Sequence, residues 1–370
     1  MTRLKQLLVQ LAPVLFLVAI ALIVMACSPG AQVDANGSPL PSPSPSQAPL
    51  TPAAPGANPI SLMAWVFTPI FQTLFIGLVL LDKLTGSILV AIVLLTIGLR
   101  VLVIPLYRRQ LTSTRQMQLL QPEIKELQRK HKGDRVKQQA AVQEFYKQRG
   151  INPAGGCLPI LLQFGLLIPM YSVFSQGLTN YDVSAMLRPF GFDLGAALGI
   201  VCDTAPQFDK NHQIANACLN PYAFGINWGI PEHFTTGLVI LGFGVSILAV
   251  ISSLIQLVAS RMTLTPPDPK NDDPNMKIQR QMAYFLPLIS ILYGGILPAG
   301  LFLYWITATI IQIIQQYLIL GWGGMFPLFG WYPEFARNHS PRYPVKIPQP
   351  KPSEPGQPNS AADRAKAVDR

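Results

Sequence analysis

Long apolar blocks separated by short polar stretches set the plan of this chain. Six blocks follow residue 60, at 61–81, 87–106, 154–176, 236–260, 282–297 and 299–320. A membrane-crossing helix needs about 20 mostly apolar residues, so most of these are long enough to span. The block at 282–297 is short; Pro287 lies within it and Pro298 follows it. That predicts a short, tilted helix that turns at Leu297-Pro298-Ala299-Gly300 into the last block. The segment 107–150 has a different pattern. It reads as two amphipathic helices, 111–129 and 134–148, joined by a turn at Lys130-His131-Lys132-Gly133, with Gly150 beyond the second. Two helices and a short turn make a hairpin. Both helices are polar on most faces, so the hairpin is expected to project from the membrane.

The two ends differ from this middle. Arg3 and Lys5 precede an apolar run at 7–25, the layout of a signal peptide over residues 1–26. Val24-Met25-Ala26-Cys27 resembles a bacterial lipobox, with Cys27 as the lipidated residue; the competing reading is an uncleaved anchor. Residues 27–58 are rich in Pro, Ser and Ala and read as a disordered external tether. Residues 321–370 form a basic tail, expected to be largely disordered after 341.

Half of the chain is apolar and 12% is charged, against about 25% charged in a soluble domain. The class is therefore all-α and polytopic. The net charge of +10 matters through its placement rather than as a sign of nucleic-acid binding, because Lys and Arg in short loops set orientation. Residues 107–150 hold eleven Lys/Arg and four Asp/Glu, whereas 179–235 hold two and five. The first segment is expected in the cytoplasm and the second outside. A chain that starts outside and crosses inward at 87–106 leaves no crossing for 61–81. That block is predicted to lie along the outer interface, where Trp65 and Phe67 suit the depth. Five spans remain (87–106, 154–176, 236–260, 282–297 and 299–320), with a cytoplasmic loop at 261–281 and a cytoplasmic C-terminus. The outside is oxidising, so Cys202 and Cys218 in the external loop are permitted to bond. The spacing of the four Cys and four His suggests no metal site.

Arg100 is the only charged residue in 88–106. A charge at bilayer depth costs at least about 2.5–3.5 kcal/mol, so it persists where it faces protein or water. The bland reading is snorkelling to the interface; Tyr107, Arg108 and Arg109 already supply that interface. Thr96 lies one turn earlier on the same face. Other polar residues in the spans include Gln163, Gln256, Tyr304, Trp305 and several further Ser, Thr and Gln, some of which read as helix glue. No Asp or Glu lies within the five spans to neutralise Arg100. An anionic guest can therefore fill that role. Nucleotide-binding, serine-hydrolase and zinc-protease motifs are absent, and neither enzyme activity nor a cofactor is expected.

Four stretches in order, LLTIGLRVLVIPLYRRQ (94–110), MQLLQPEIKELQRKHKGD (117–134), FYKQRGINPAGGCLPILLQFGLLIPMY (145–171) and LPAGLFLYWITATIIQIIQQYLI (297–319), resemble the YidC/Oxa/Alb membrane protein insertases over residues 59–320. The lipoprotein-like signal and five spans resemble the Gram-positive form. The resemblance implies a chaperone in the bacterial cell membrane that helps nascent membrane proteins enter the bilayer. The implied partners are membrane lipids and, beside the substrates, the Sec translocon, the ribosome and signal-recognition machinery, with no specific nucleic acid. It also implies five helices around a hydrophilic groove open to the cytoplasm. Arg100, Thr96 and Tyr304 match groove positions of the family, and Gln256 matches loosely because Ala259-Ser260-Arg261-Met262 departs from the usual ending. Gln163 and Trp305 complete the expected lining. The hairpin resembles the family's flexible contact element, with Arg129, Lys130, Lys132 and Arg135 at its tip. The competing reading is an anion-selective channel or small-solute transporter with Arg100 as its selector. Inverted repeats would favour that, and none is visible. A third reading is a lipoprotein scaffold with no translocation role.

Overall fold

The computed structural model describes residues 50–53, 59–131, 133–151, 166–180, 182–200, 202, 207–208, 214–215, 218–237, 239–240, 243–244, 246–264, 274–326, 331–337 and 345. The signal region, Cys27, the tether to residue 49, Lys132, Gln163 and nearly all of the tail after 341 lie outside these residues. Two units, Met1–Ala48 and Pro49–Arg370, divide the chain, and every described residue belongs to the second.

Helix α1 runs Pro59–Thr85 and α2 runs Ile88–Leu102. Gly86, with a φ of 68°, makes the turn between them. The inward face of α1, Phe71, Leu74, Phe75, Leu78 and Val79, is buried against Ile88, Ala91 and Ile92 of α2. The same core takes in Met170, Val173, Phe174, Trp228 and, from the last helix, Leu301, Tyr304 and Ala308.

The expected straight span over 87–106 is bent. Helix α3, Ile104–Leu119, leaves α2 at an angle of 61°. Pro105 sits in the first turn of α3. It cannot donate a backbone bond and its ring crowds the carbonyl of Val101, so the chain breaks at Val103. A second proline, Pro122, opens α4, Gln121–Lys130. The first hairpin arm is thus shorter than the 111–129 expected. Helix α5, Arg135–Gln148, forms the second arm. Asp134 caps it, accepting bonds from the Val136 and Lys137 amides at 3.1 Å each. The Lys137 N–H, as the strongest influence, holds the Asp134 carboxyl below the ordinary carboxylate value. The arms are more closely joined than polar faces suggest. Leu120, Ile124 and Ile151 form a small core with Phe145 and Tyr146, and Arg149 pairs with Glu123 across the hairpin.

Residues 166–172 are helical and pass into a π-helical turn, Val173–Gly177. Among the described residues, the segment that follows is built from short turns and two-residue strands, with Cys202 and Cys218 disulfide-bonded. The span expected from Thr236 begins instead at Ile247. Helix α7, Ile247–Thr263, counts 17 residues; here α6 denotes 166–172. Before it, Val239–Ile240 pairs antiparallel with Phe243–Gly244. Gly237, with a φ of 69°, ends the short helix His233–Thr236 and blocks a continuous run. Gly244, in the second of these strands, lies against the His233 ring. Helix α8, Pro274–Leu292, starts eight residues before the expected 282, so part of the expected loop 261–281 is helical. A tight turn, Tyr293–Gly295, leads on to α9, Ala299–Leu320.

Among the described residues, Trp65–Thr85 and Ala299–Ile319 are each long and apolar enough to cross a membrane. The bent pair α2–α3 passes that test only jointly, and α7 is apolar but shorter.

Candidate functional site

Helix α9 packs against both α2 and α7, so side chains from three elements meet along it. Arg100 lies in the last turn of α2, just before the bend, and is half-buried. Its charge acts on the hydroxyls of Tyr304 on α9 and Tyr107 on α3. Tyr304 is buried, as is Thr96 one turn before Arg100. The Thr96 hydroxyl donates to the Ile92 carbonyl at 2.7 Å within its own helix. That bond satisfies the buried hydroxyl within α2 itself. The ion pairs among the described residues join Lys137 to Asp134, Arg149 to Glu123 and Arg188 to Asp193, and none involves Arg100.

A second polar cluster lies nearer the C-terminal ends of α7 and α9. The buried Gln316 donates from Nε2 to Thr263 Oγ1 at 2.7 Å and to the Tyr107 hydroxyl at 3.4 Å. Gln118 donates to the Thr263 carbonyl at 2.9 Å. Arg261 donates to the Tyr284 hydroxyl at 2.7 Å and to the Met325 carbonyl at 3.1 Å. Tyr107 therefore links the Arg100 position to this cluster. Sequence reading missed Tyr107, Gln316, Thr263 and Gln118 as a group. The available signal was the run of amides Gln312, Gln315 and Gln316 in an otherwise apolar helix. The Oε1 atoms of Gln110, Gln315 and Gln316 are buried without a protein hydrogen-bond partner among the described residues. Such atoms are costly unless water or another donor reaches them.

The other expected groove residues are more dispersed. Trp305 is half-buried and packs edge-on against Phe302, with ring centroids 5.4 Å apart. Gln256 donates to the Ser252 hydroxyl on its own helix at 2.8 Å. Nothing among the described residues links it to Arg100 or Tyr304. Ser253 acts as helix glue, donating to the Pro287 carbonyl at 2.7 Å. At the hairpin tip, Arg129 and Lys130 occupy the last turn of α4 and Arg135 opens α5.

One buried acid went unnoticed in the sequence because it precedes an apolar block rather than lying in it. Glu232 is buried, and its Oε2 accepts from Ser246 Oγ at 2.6 Å and from the Leu248 N–H at 2.9 Å. Ser246 in turn caps α7 through the Ala249 N–H. The carboxylate thus satisfies donors at a helix N-terminus, where a negative charge is favoured. The Glu232→Ala variant is expected to lose about 1.5–3 kcal/mol, the range for hydrogen bonds to charged groups. Thermal unfolding in detergent checks this, and a wild-type midpoint contradicts it.

Residues 80–322 match the family described as 60Kd inner membrane protein. A membrane protein insertase YidC from Treponema denticola is 33% identical over 230 residues, covering 62% of this chain and 34% of the relative. Another from Fusobacterium nucleatum is 25% identical over 258 residues, 70% of this chain and 98% of the relative. A crystal structure of an active YidC insertase with the first transmembrane domain resolved aligns with 70% of this chain and 50% of that one. It does so at 24% identity and a TM-score of 0.40, too distant to bear on the site. The chain spans about a third of the length of the first curated relatives it matches.

Proposed function

This chain belongs to the 60Kd inner membrane protein family, that of the YidC/Oxa/Alb proteins, and from that premise we propose that it is a membrane protein insertase. The observation that carries the mechanism is the half-buried Arg100, which has no ion pair among the described residues and whose charge reaches Tyr304 and Tyr107. Its substrates are newly made membrane proteins, engaged alone or beside the Sec translocon and the ribosome.

A substrate with an acidic N-terminal tail must move polar groups through about 30 Å of hydrocarbon. A wet recess with one positive charge lowers that desolvation cost, and its attraction is stronger than in bulk water because the local dielectric is low. The buried amide oxygens of Gln110, Gln315 and Gln316 support a hydrated path at this level. They accept from water or from backbone N–H groups of the passing tail. The substrate's apolar segment then moves into lipid, and burial of its surface drives the step without nucleotide chemistry. Helix α1 belongs on the outer surface in this reading. The basic 107–150 segment must stay in the cytoplasm, and α2 then makes the only crossing between the two. Cys27 is the proposed lipid anchor.

A photo-reactive amino acid at position 304 tests the reading against a ribosome-bound nascent chain in membrane vesicles. The insertase reading expects a crosslink that appears only while the substrate's tail is untranslocated. No crosslink at any chain length overturns it.

The hairpin is the proposed cytoplasmic contact for substrates and targeting partners. Replacing residues 130–134 by a short Gly-Ser linker is expected to reduce insertion several-fold with little change in the amount of protein in the membrane. The small core of Leu120, Ile124 and Ile151 lies away from the residues removed. Loss of the protein from the membrane contradicts this separation.

A further inference from the structure

Among the described residues, the non-glycine residues with positive φ are Phe190 and Phe224, at 54° and 55°. Each is followed by a glycine that shares the conformation, Gly191 at 81° and Gly225 at 78°. Each sits at the tip of a tight turn on the loop assigned to the outer side. Left-handed backbone is disfavoured for a residue with a Cβ, and Asn, Asp or Gly normally fills such places. Here the same costly Phe-Gly turn occurs twice, and both rings point away from the protein. Phe190 is 77% exposed and Phe224 is 85% exposed.

The tips are braced. Phe224-Gly225 joins the paired strands Tyr222–Ala223 and Ile226–Asn227. Behind it the buried Trp228 donates its backbone N–H to Pro221 and its indole N–H to Ala223. At the other tip the Gly191 N–H donates to Arg188 and the Phe192 N–H to Pro189. The Arg188–Asp193 ion pair closes the loop at 2.9 Å. The Ala196 N–H most of all, and then the Arg188 charge, keep the Asp193 carboxyl below its ordinary value. A braced turn that holds an aromatic ring outward in a disfavoured conformation calls for a favourable surrounding outside the chain.

We propose that Phe190 and Phe224 are two anchors that enter the interfacial region of the outer leaflet and set the depth of the external segment. The proposal rests on the reading that residues 179–235 lie outside. Lipid is favoured over a protein partner on two grounds. First, the Phe190 turn adjoins a surface that itself needs an apolar solvent: Gln72 of α1 donates to the carbonyls of Ala185 and Arg188 at 3.4 Å. The free face of α1 displays Leu62, Trp65, Val66 and Ile70, and residues 59–81 carry no charge. Second, the exposed rings stand on two separate tips, Phe190 with Phe192 on one and Phe224 on the other. Small separate apolar tips suit a fluid, whereas a specific protein contact takes a continuous patch of about 800 Å² per partner. Phe, like Trp and Leu, is a residue that interfacial elements bury at the boundary of headgroups and acyl chains, and the neighbouring Arg188–Asp193 pair fits the polar side of that boundary.

The test uses the full chain in vesicles of phosphatidylethanolamine and phosphatidylglycerol. 4-Fluorophenylalanine is placed singly at 190, at 224 and, as a water-exposed reference, at Val136 on the hairpin. Fluorine relaxation is read with dissolved oxygen, which concentrates in lipid, and with an aqueous nickel complex. Anchors at 190 and 224 give an oxygen-to-nickel ratio at least about three times that at 136. A ratio equal to that at 136 overturns the proposal. So does a raised ratio that appears only in native membranes containing other proteins, since that points to a protein partner. Failure of the insertase reading is separate: it removes the dependence of insertion on Arg100 and leaves these fluorine ratios unchanged.

Discussion

Vesicles carrying the Arg100→Ala variant are expected to insert a single-span substrate with an acidic tail at about one tenth to one hundredth of the wild-type rate. The size follows from the loss of one charge-assisted contact of about 1.5–3 kcal/mol, taken at about 1.4 kcal/mol per tenfold change. Arg100 has no ion pair among the described residues, so its removal orphans no buried carboxylate there and the fold should persist. Arg100→Lys is expected to retain part of the activity. Lysine keeps the charge but lacks the planar fork that binds a carboxylate through two parallel bonds. Measuring initial insertion rates together with the amount of folded protein separates this effect from misfolding.

The second large effect is expected at the turn into α9, where Gly300→Val should cost about 3 kcal/mol, the upper part of the overpacking range. A Cβ at this position would lie 2.7 Å from Phe174 Cδ1 and 2.8 Å from the Trp228 carbonyl oxygen. The ring belongs to a buried side chain. The carbonyl is backbone and accepts the Gly300 N–H at 2.9 Å. Neither neighbour yields cheaply, because moving Trp228 also disturbs the strand pair that carries Phe224. The measurement is the unfolding midpoint in detergent with the amount of protein recovered from membranes. A wild-type value for both would show that the turn accommodates a side chain.

Much of this architecture was legible in the apolar periodicity. The last helix has clean limits because Pro298 precedes it and Gly321 ends it. The hairpin turn was legible because Asp134 is a strong cap and Gly133 a strong stop. Arg100 stood out because hydrocarbon makes a lone charge expensive. Other features depended on signals that apolarity masks. Pro105 was visible, but the surrounding apolar run suggested one straight span, and the 61° bend is where the missing N–H takes effect. Residues 239–244 read as part of a helix because strand and helix segments are alike when every residue is apolar; Gly237 and Gly244 decide the matter in three dimensions. The Tyr107–Gln316 and Gln316–Thr263 bonds join residues 209 and 53 positions apart. No local pattern encodes such pairs, and only the packing of α3, α7 and α9 brings them together. Glu232 was overlooked for a similar reason, since its partners lie on the far side of a short strand pair.

The central claim is that Arg100 acts by attracting negative charge on the substrate. A crossed measurement tests it most directly: initial insertion rates of wild type and Arg100→Ala, each with one single-span substrate whose tail is either acidic or made neutral by Asp→Asn and Glu→Gln changes. The electrostatic mechanism predicts a loss of about ten-fold or more with the acidic tail and a loss of less than about two-fold with the neutral one. Equal losses with both tails would contradict it and would make Arg100 a structural residue of α2.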